Sequence, residues 1–241
     1  MSPQRLIWTT LLFSQVIFAA PGPLARPAPP NLETYLALPM PERVKALQNH
    51  KPESLQYLSR TAFAKDKSLL LRWRALTTMG RMDADYFAKD LERAAQSGEW
   101  FMRNAALIAL QTGDHDRAVK FSLKALTDPA LVVRTQAVRN LIELNARESE
   151  GRLWTEIFSR TNFRGEESLW VRVHMAEALA QFASPQRVKS FHRLLLDPDE
   201  RLHKWAILGL ETATGFKLGD AQRPLDIRRQ QWLERLGGNT L

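Results

Sequence analysis

The chain has no cysteine among its 241 residues. That absence excludes a disulfide framework, a Cys-ligated zinc or iron–sulfur centre, a cysteine nucleophile and a lipidated N-terminal cysteine. It also lacks a hydrophobic run that could cross a bilayer. Leu6 to Ala20 is uncharged and largely apolar but has only 15 residues, against the roughly 20 that a spanning helix needs. There is no P-loop, no GxGxxG and no GxSxG, so phosphate-cradling loops and nucleophile elbows have no sequence support. The five histidines (His50, His115, His174, His192, His203) form no HExxH and no His-Glu pair. No cofactor and no metal is implied. What is present is 44% hydrophobic and 25% charged residues, enough apolar surface to offset the ordering entropy of a folded chain. The net charge is +8, from 34 Lys+Arg and 26 Asp+Glu.

The first forty residues read as an address and a spacer. Arg5, the short apolar run and the small residues Ala19 and Ala20 describe a secretory signal peptide over 1–20, cleaved near Ala19-Ala20. The alternative is an uncleaved inner-membrane anchor over residues 6–20. Five of the 13 prolines then fall between Pro21 and Pro30, which predicts an extended, semi-rigid linker over 21–40. The predicted location is periplasmic or secreted.

The remainder is one unit repeated. Arg72, Arg103, Arg134 and Arg172 each follow an apolar residue, with His203 in the fifth place, at steps of 31, 31, 38 and 31 residues. One position earlier stand Leu71, Met102, Val133, Val171 and Leu202. Three later come Ala75, Ala106, Ala137, Met175 and Ala206; four later Leu76, Leu107, Val138, Ala176 and Ile207; seven later Met79, Leu110, Leu141, Leu179 and Leu210. These offsets mark one face of a helix. A second amphipathic segment precedes each copy, as in 85–95, 115–126, 151–158 and 185–196. Asp128-Pro129 and Asp197-Pro198 read as joining turns, with aspartate capping the next helix and proline in its first position. The fold class is therefore all-α: an α–α hairpin solenoid of about five to six repeats over 41–214. Residues 215–241 read as a C-terminal loop and capping helix.

The segments DPALVVRTQAVRNL (128–141) and DPDERLHKWAILGL (197–210) resemble HEAT repeats of the bacterial, phycobilisome-lyase-like kind. The resemblance implies hairpins stacked into a right-handed superhelix with second helices on the concave side. The stretch 214–236, with its Thr-Gly…Gly-Asp loop and Trp232, looks like the tail that closes many such proteins. HEAT-like iron hydroxylases are not matched, since their His-Glu pairs are missing. A bilin lyase is disfavoured by the tail and by export.

On the helical wheel the face opposite the core carries Trp73, Arg74, Ile108, Gln136, Arg139, His174, Glu177, Lys204, Trp205 and Leu208. Trp and Arg on an exposed helix face are typical anchors of protein recognition. This face is the predicted partner-binding surface, with packing against neighbouring repeats as the competing role for Trp73 and Trp205. Trp100, Trp154 and Trp170, near helix starts, read as core or inter-repeat packing. The repeated arginine reads as structural, its stem packed and its guanidinium on a turn aspartate, Asp128 and Asp197 being the obvious partners. The longer connection 161–168 reads as an ordinary polar surface loop, with a contact loop that exposes Phe163 as the alternative. Asp114-His115-Asp116 reads as a helix cap and not as a metal site.

The expected function is a non-catalytic interaction scaffold that presents a curved surface to an envelope protein. A less direct target is the peptidoglycan or an anionic membrane surface, drawn by the positive charge. The alternative is a basic-groove nucleic-acid-binding protein or DNA glycosylase of HEAT-like architecture.

Overall fold

The computed structural model describes residues 31–218 and 222–238. The predicted signal peptide, residues 21–30 of the predicted linker and the Gly-Asp part of the tail loop lie outside the described residues. Leu32–Leu241 forms one compact unit. Among the described residues no helix is long and apolar enough to cross a membrane.

The unit is an all-α solenoid. Five hairpins follow in chain order: α3 (Lys51–Phe63) with α4 (Leu69–Asp83), α5 (Ala88–Ala95) with α6 (Trp100–Leu110), α7 (His115–Ala125) with α8 (Leu131–Glu143), α9 (Glu150–Glu156) with α10 (Val171–Gln181), and α11 (Val188–Leu195) with α12 (His203–Thr214). They are preceded by α1 (Leu32–Ala37) and α2 (Met40–Gln48) and followed by α13 (Leu225–Gly238), which packs on α11 and α12. The second helices α4, α6, α8, α10 and α12 pack directly on one another. Each first helix packs mainly on its own partner.

The repeat offsets mark the core. Of the twenty apolar positions aligned on the arginine, nineteen are buried; Leu71, at the first unit, is half-buried. Small residues let the second helices approach closely. A Cβ on Gly80 would lie 2.5 Å from the Cα of Ala109, so α4 meets α6 backbone to backbone. The core falls into two clusters that share α6: Ala106 and Leu110 belong to the N-terminal one, Leu107 to the C-terminal one. Phe121 on α7 packs against both.

Helix ends follow local chemistry. Asp114 accepts from the Arg117 N–H at 2.8 Å and caps α7. Ser68 does the same for α4 from Leu71 at 3.3 Å. α8 runs into Asn145 (φ 50) and α12 into Gly215 (φ 72), both left-handed residues that stop a helix.

Four readings need correction. The linker reading over 21–40 is too long, because α1 begins at Leu32 and buries Leu36 completely. Six residues with one buried side chain carry too little periodicity to show between Pro30 and Pro39. Pro129 and Pro198 do not start helices, since α8 begins at Leu131 and α12 at His203. Their aspartates bond the N–H two residues on, Ala130 at 2.8 Å and Asp199 at 2.9 Å, which places each proline inside a turn. The long connection is not a plain loop. Phe163–Arg164 pairs antiparallel with Glu167–Ser168, turning at Gly165 with φ +61. Nor is Phe163 exposed: it is half-buried, with the Arg172 guanidinium 4.3 Å from its ring centre.

Candidate functional surface

The repeated arginine ties each unit to the next. Arg72 holds Glu99 through two bonds of 3.0 and 2.5 Å. Arg103 holds Asp128 at 2.6 and 2.7 Å. Arg172, fully buried, holds Asp197 at 3.3 and 2.5 Å and donates to the Ile157 carbonyl at 2.8 Å. The acidic partner therefore lies in the turn of the following unit, and the fork geometry makes each link directional. Hydrogen bonding to Asp128 raises the Arg103 pKa, and the Arg72 guanidinium lowers that of Glu99. Arg134 departs from the pattern because its neighbour is the lengthened connection. It donates to Asn162 Oδ1 at 2.9 Å and to the carbonyls of Thr161 and Asp128 at 2.8 and 2.7 Å, and burial lowers its pKa. In the fifth unit His203 Nε2 meets the Asp197 carbonyl at 2.9 Å. The repeated arginines are thus turned inward, onto carboxylates and carbonyls of the turns.

The face opposite the core differs from one second helix to the next. On α4 it is covered by α1 and α2. Arg74 donates to the Leu36 carbonyl at 3.2 Å, and Thr77 and Thr78 are buried. Arg43 reaches across from α2 to Thr78 Oγ1 at 3.2 Å and to the Leu38 carbonyl at 2.9 Å. Trp73 is half-buried against the N-terminal core. Trp205 packs partly against the C-terminal core, with the Lys204 Nζ 4.5 Å from its ring centre. Both tryptophans thus do packing work while keeping part of their surface.

On α8 and α10 the face is open. Arg139, Ile142, Glu143, His174 and Glu177 line a shallow depression of about 320 Å³. Arg139 is exposed and makes no ion pair among the described residues. His174 Nδ1 lies 3.4 Å from Glu177 Oε2, and its ring stands edge-on to Trp170 at 5.8 Å. Glu143 accepts from Gln111, the residue that ends α6. Gln136 is turned to Asn140 at 2.8 Å, and Asn140 bonds the Leu107 carbonyl at 2.8 Å. Leu208 and Lys204 extend the face on α12, both exposed; Ile108 on α6 is half-buried. Among the described residues no group of His, Asp and Glu is arranged to hold a metal.

Two aromatic residues of this surface were misread from sequence. Trp154 is buried, but Trp100 is 50% and Trp170 42% exposed. Trp170 stands two positions before Arg172, and the series Trp170, His174, Glu177, Gln181 shares one helix face. The equivalent positions on α4 and α8 hold exposed Leu70 and Val132, whereas Phe101 on α6 is buried. Counting backward from the arginine, as well as forward, reveals this extension of the stripe.

No protein-family model matches the chain, and no curated protein matches it. In fold it is similar to an engineered protein of known crystal structure, with 18% identity, a TM-score of 0.50, and coverage of 76% of this chain and 87% of that one. At that identity the likeness concerns the fold alone.

Proposed function

We propose that the chain is an exported HEAT-like repeat protein that acts as a non-catalytic scaffold, presenting the open face of its second helices to a protein of the cell envelope. The observation that carries this reading is the row on α8 and α10. There Trp170, Val132 and Arg139 stand exposed beside His174, Glu143 and Glu177 on rigid, well-packed helices. An aromatic and a free guanidinium held without ordering cost are the groups that anchor protein partners. Export rests on the signal-like pattern of residues 1–20. The nucleic-acid reading is weaker, because Arg72, Arg103 and Arg172 are spent on inter-unit carboxylates and the open face mixes both signs of charge.

A photo-activated cross-linker at position 170 or 139 should trap one envelope protein. The same probe at the exposed Lys120 on the first-helix side should not. Replacing Trp170 and Arg139 by alanine should abolish the product without lowering the melting temperature. Equal trapping at position 120 would overturn the assignment of the face. Mass spectrometry of the N-terminus tests export: a chain retaining Met1 in the soluble cytoplasm defeats it.

A further inference from the structure

A separate cavity of about 360 Å³ opens between α11, the end of α12 and the closing helix α13. Its volume falls within the range of about 300–1,000 Å³ common for small-molecule sites. Trp232, fully buried, forms its floor, with Val188, Phe216 and Leu236 as further apolar walls. The Trp232 indole N–H is buried with no partner. Lys189 and Arg235 also line the cavity, and among the described residues no acidic side chain does. Neither cation makes an ion pair among the described residues, which sets them apart from the neutralised arginine ladder. Stacking of the Arg235 guanidinium on the Phe216 ring, 4.3 Å from its centre, holds that charge at the cavity wall.

From this combination we propose that the C-terminal cavity binds a small amphiphilic carboxylate, its apolar body on Val188, Phe216 and Leu236 and its carboxylate between Lys189 and Arg235. An apolar pocket alone would take a neutral ligand equally well. Two cations without an ion pair among the described residues, both at the exposed rim of the same pocket, favour an anion, because charge-assisted hydrogen bonds are stronger than neutral ones. The apolar walls exclude a small hydrated anion as the preferred occupant, since it would leave them uncovered. The site lies away from the open second-helix face on α8 and α10 and stands apart from the scaffold reading.

Calorimetric titration of the full chain with octanoate and with 1-octanol tests the assignment. One octanoate should bind per chain, with the alcohol about tenfold weaker. The double variant Lys189→Gln, Arg235→Gln should lose about tenfold for octanoate and leave octanol unchanged. Val188→Trp, which fills the cavity, should abolish both. Absence of saturable octanoate binding overturns the proposal. So does equal affinity for the alcohol, or undiminished binding in a cooperatively melting Val188→Trp protein. The charge variants lie at the surface and keep the test decisive should the cavity-filling variant fail to fold.

Discussion

The first and the central second helices present the same sequence phase to opposite fates. On α4 the face turned from the core meets α1 and α2, so Thr77 and Thr78 are buried and Arg74 is used up on the Leu36 carbonyl. On α8 and α10 no helix outside the repeat covers that face among the described residues, and Arg139, His174 and Glu177 border an open depression. The residues differ accordingly. The covered helix has short hydroxyls that bond back to their own helix, as Thr78 Oγ1 does to the Arg74 carbonyl at 2.6 Å. The open helices carry long charged side chains that water can solvate. An identical offset therefore means an internal packing position at one end and a candidate contact surface in the middle.

The strongest way to break this comparison is at the links between units. Asp197→Ala leaves the fully buried Arg172 without its carboxylate and should cost about 3–5 kcal/mol. Glu99→Ala, whose carboxylate is half-exposed, should cost no more than about 1 kcal/mol. Urea unfolding of the two variants reads the difference, and equal losses would remove the distinction between buried and exposed rungs. Next comes the cover itself. Leu36→Ala should cost about 2–4 kcal/mol and speed amide exchange in α1 and α2 while leaving α10 unchanged. Uniform acceleration across the array would mean that the cover and the central units unfold together.

Smaller effects sharpen the picture. Gly80→Ala pushes a methyl into the Ala109 backbone and should cost about 1–3 kcal/mol, measured as a shift in denaturation midpoint. On the open face, Trp170→Ala and Arg139→Ala should each change stability by no more than about 0.5 kcal/mol. A larger loss would make them core residues and withdraw the surface. The least effect concerns pH. The His115 pKa is raised above 6.5 by the Leu144 carbonyl and then by Asp116. The folded state therefore favours the protonated ring. That contribution is complete below the unfolded value of 6.5 and fades as pH rises through the raised one. Melting curves between pH 5.5 and 8 should show the loss in the native chain and not in His115→Gln.

Much of the fold was legible because a repeat states its pattern several times. Arg72, Arg103, Arg134 and Arg172 set the register, and nineteen of twenty aligned apolar side chains are indeed inside. Asp128 and Asp197 were legible as arginine partners, and Asp114 as a cap. The candidate surface was legible only in part. Trp100 and Trp170 looked like core because aromatics near helix starts usually pack, yet among the described residues no neighbour covers them. Arg134 looked like its siblings, yet its acceptor is Asn162, delivered by the turns that carry the extra residues.

Periodicity alone determined which side of each helix faces the next unit, since that burial recurs at steps of 31 residues, once of 38, and leaves its mark in local spacing. It determined nothing about the opposite side. Whether Thr77 is buried or Arg139 exposed depends on where α1 and α2 pack, and these occur once and follow no repeat. Only the packed structure brings those single elements against the array, because their contacts join residues too far apart in the chain for any local pattern to record.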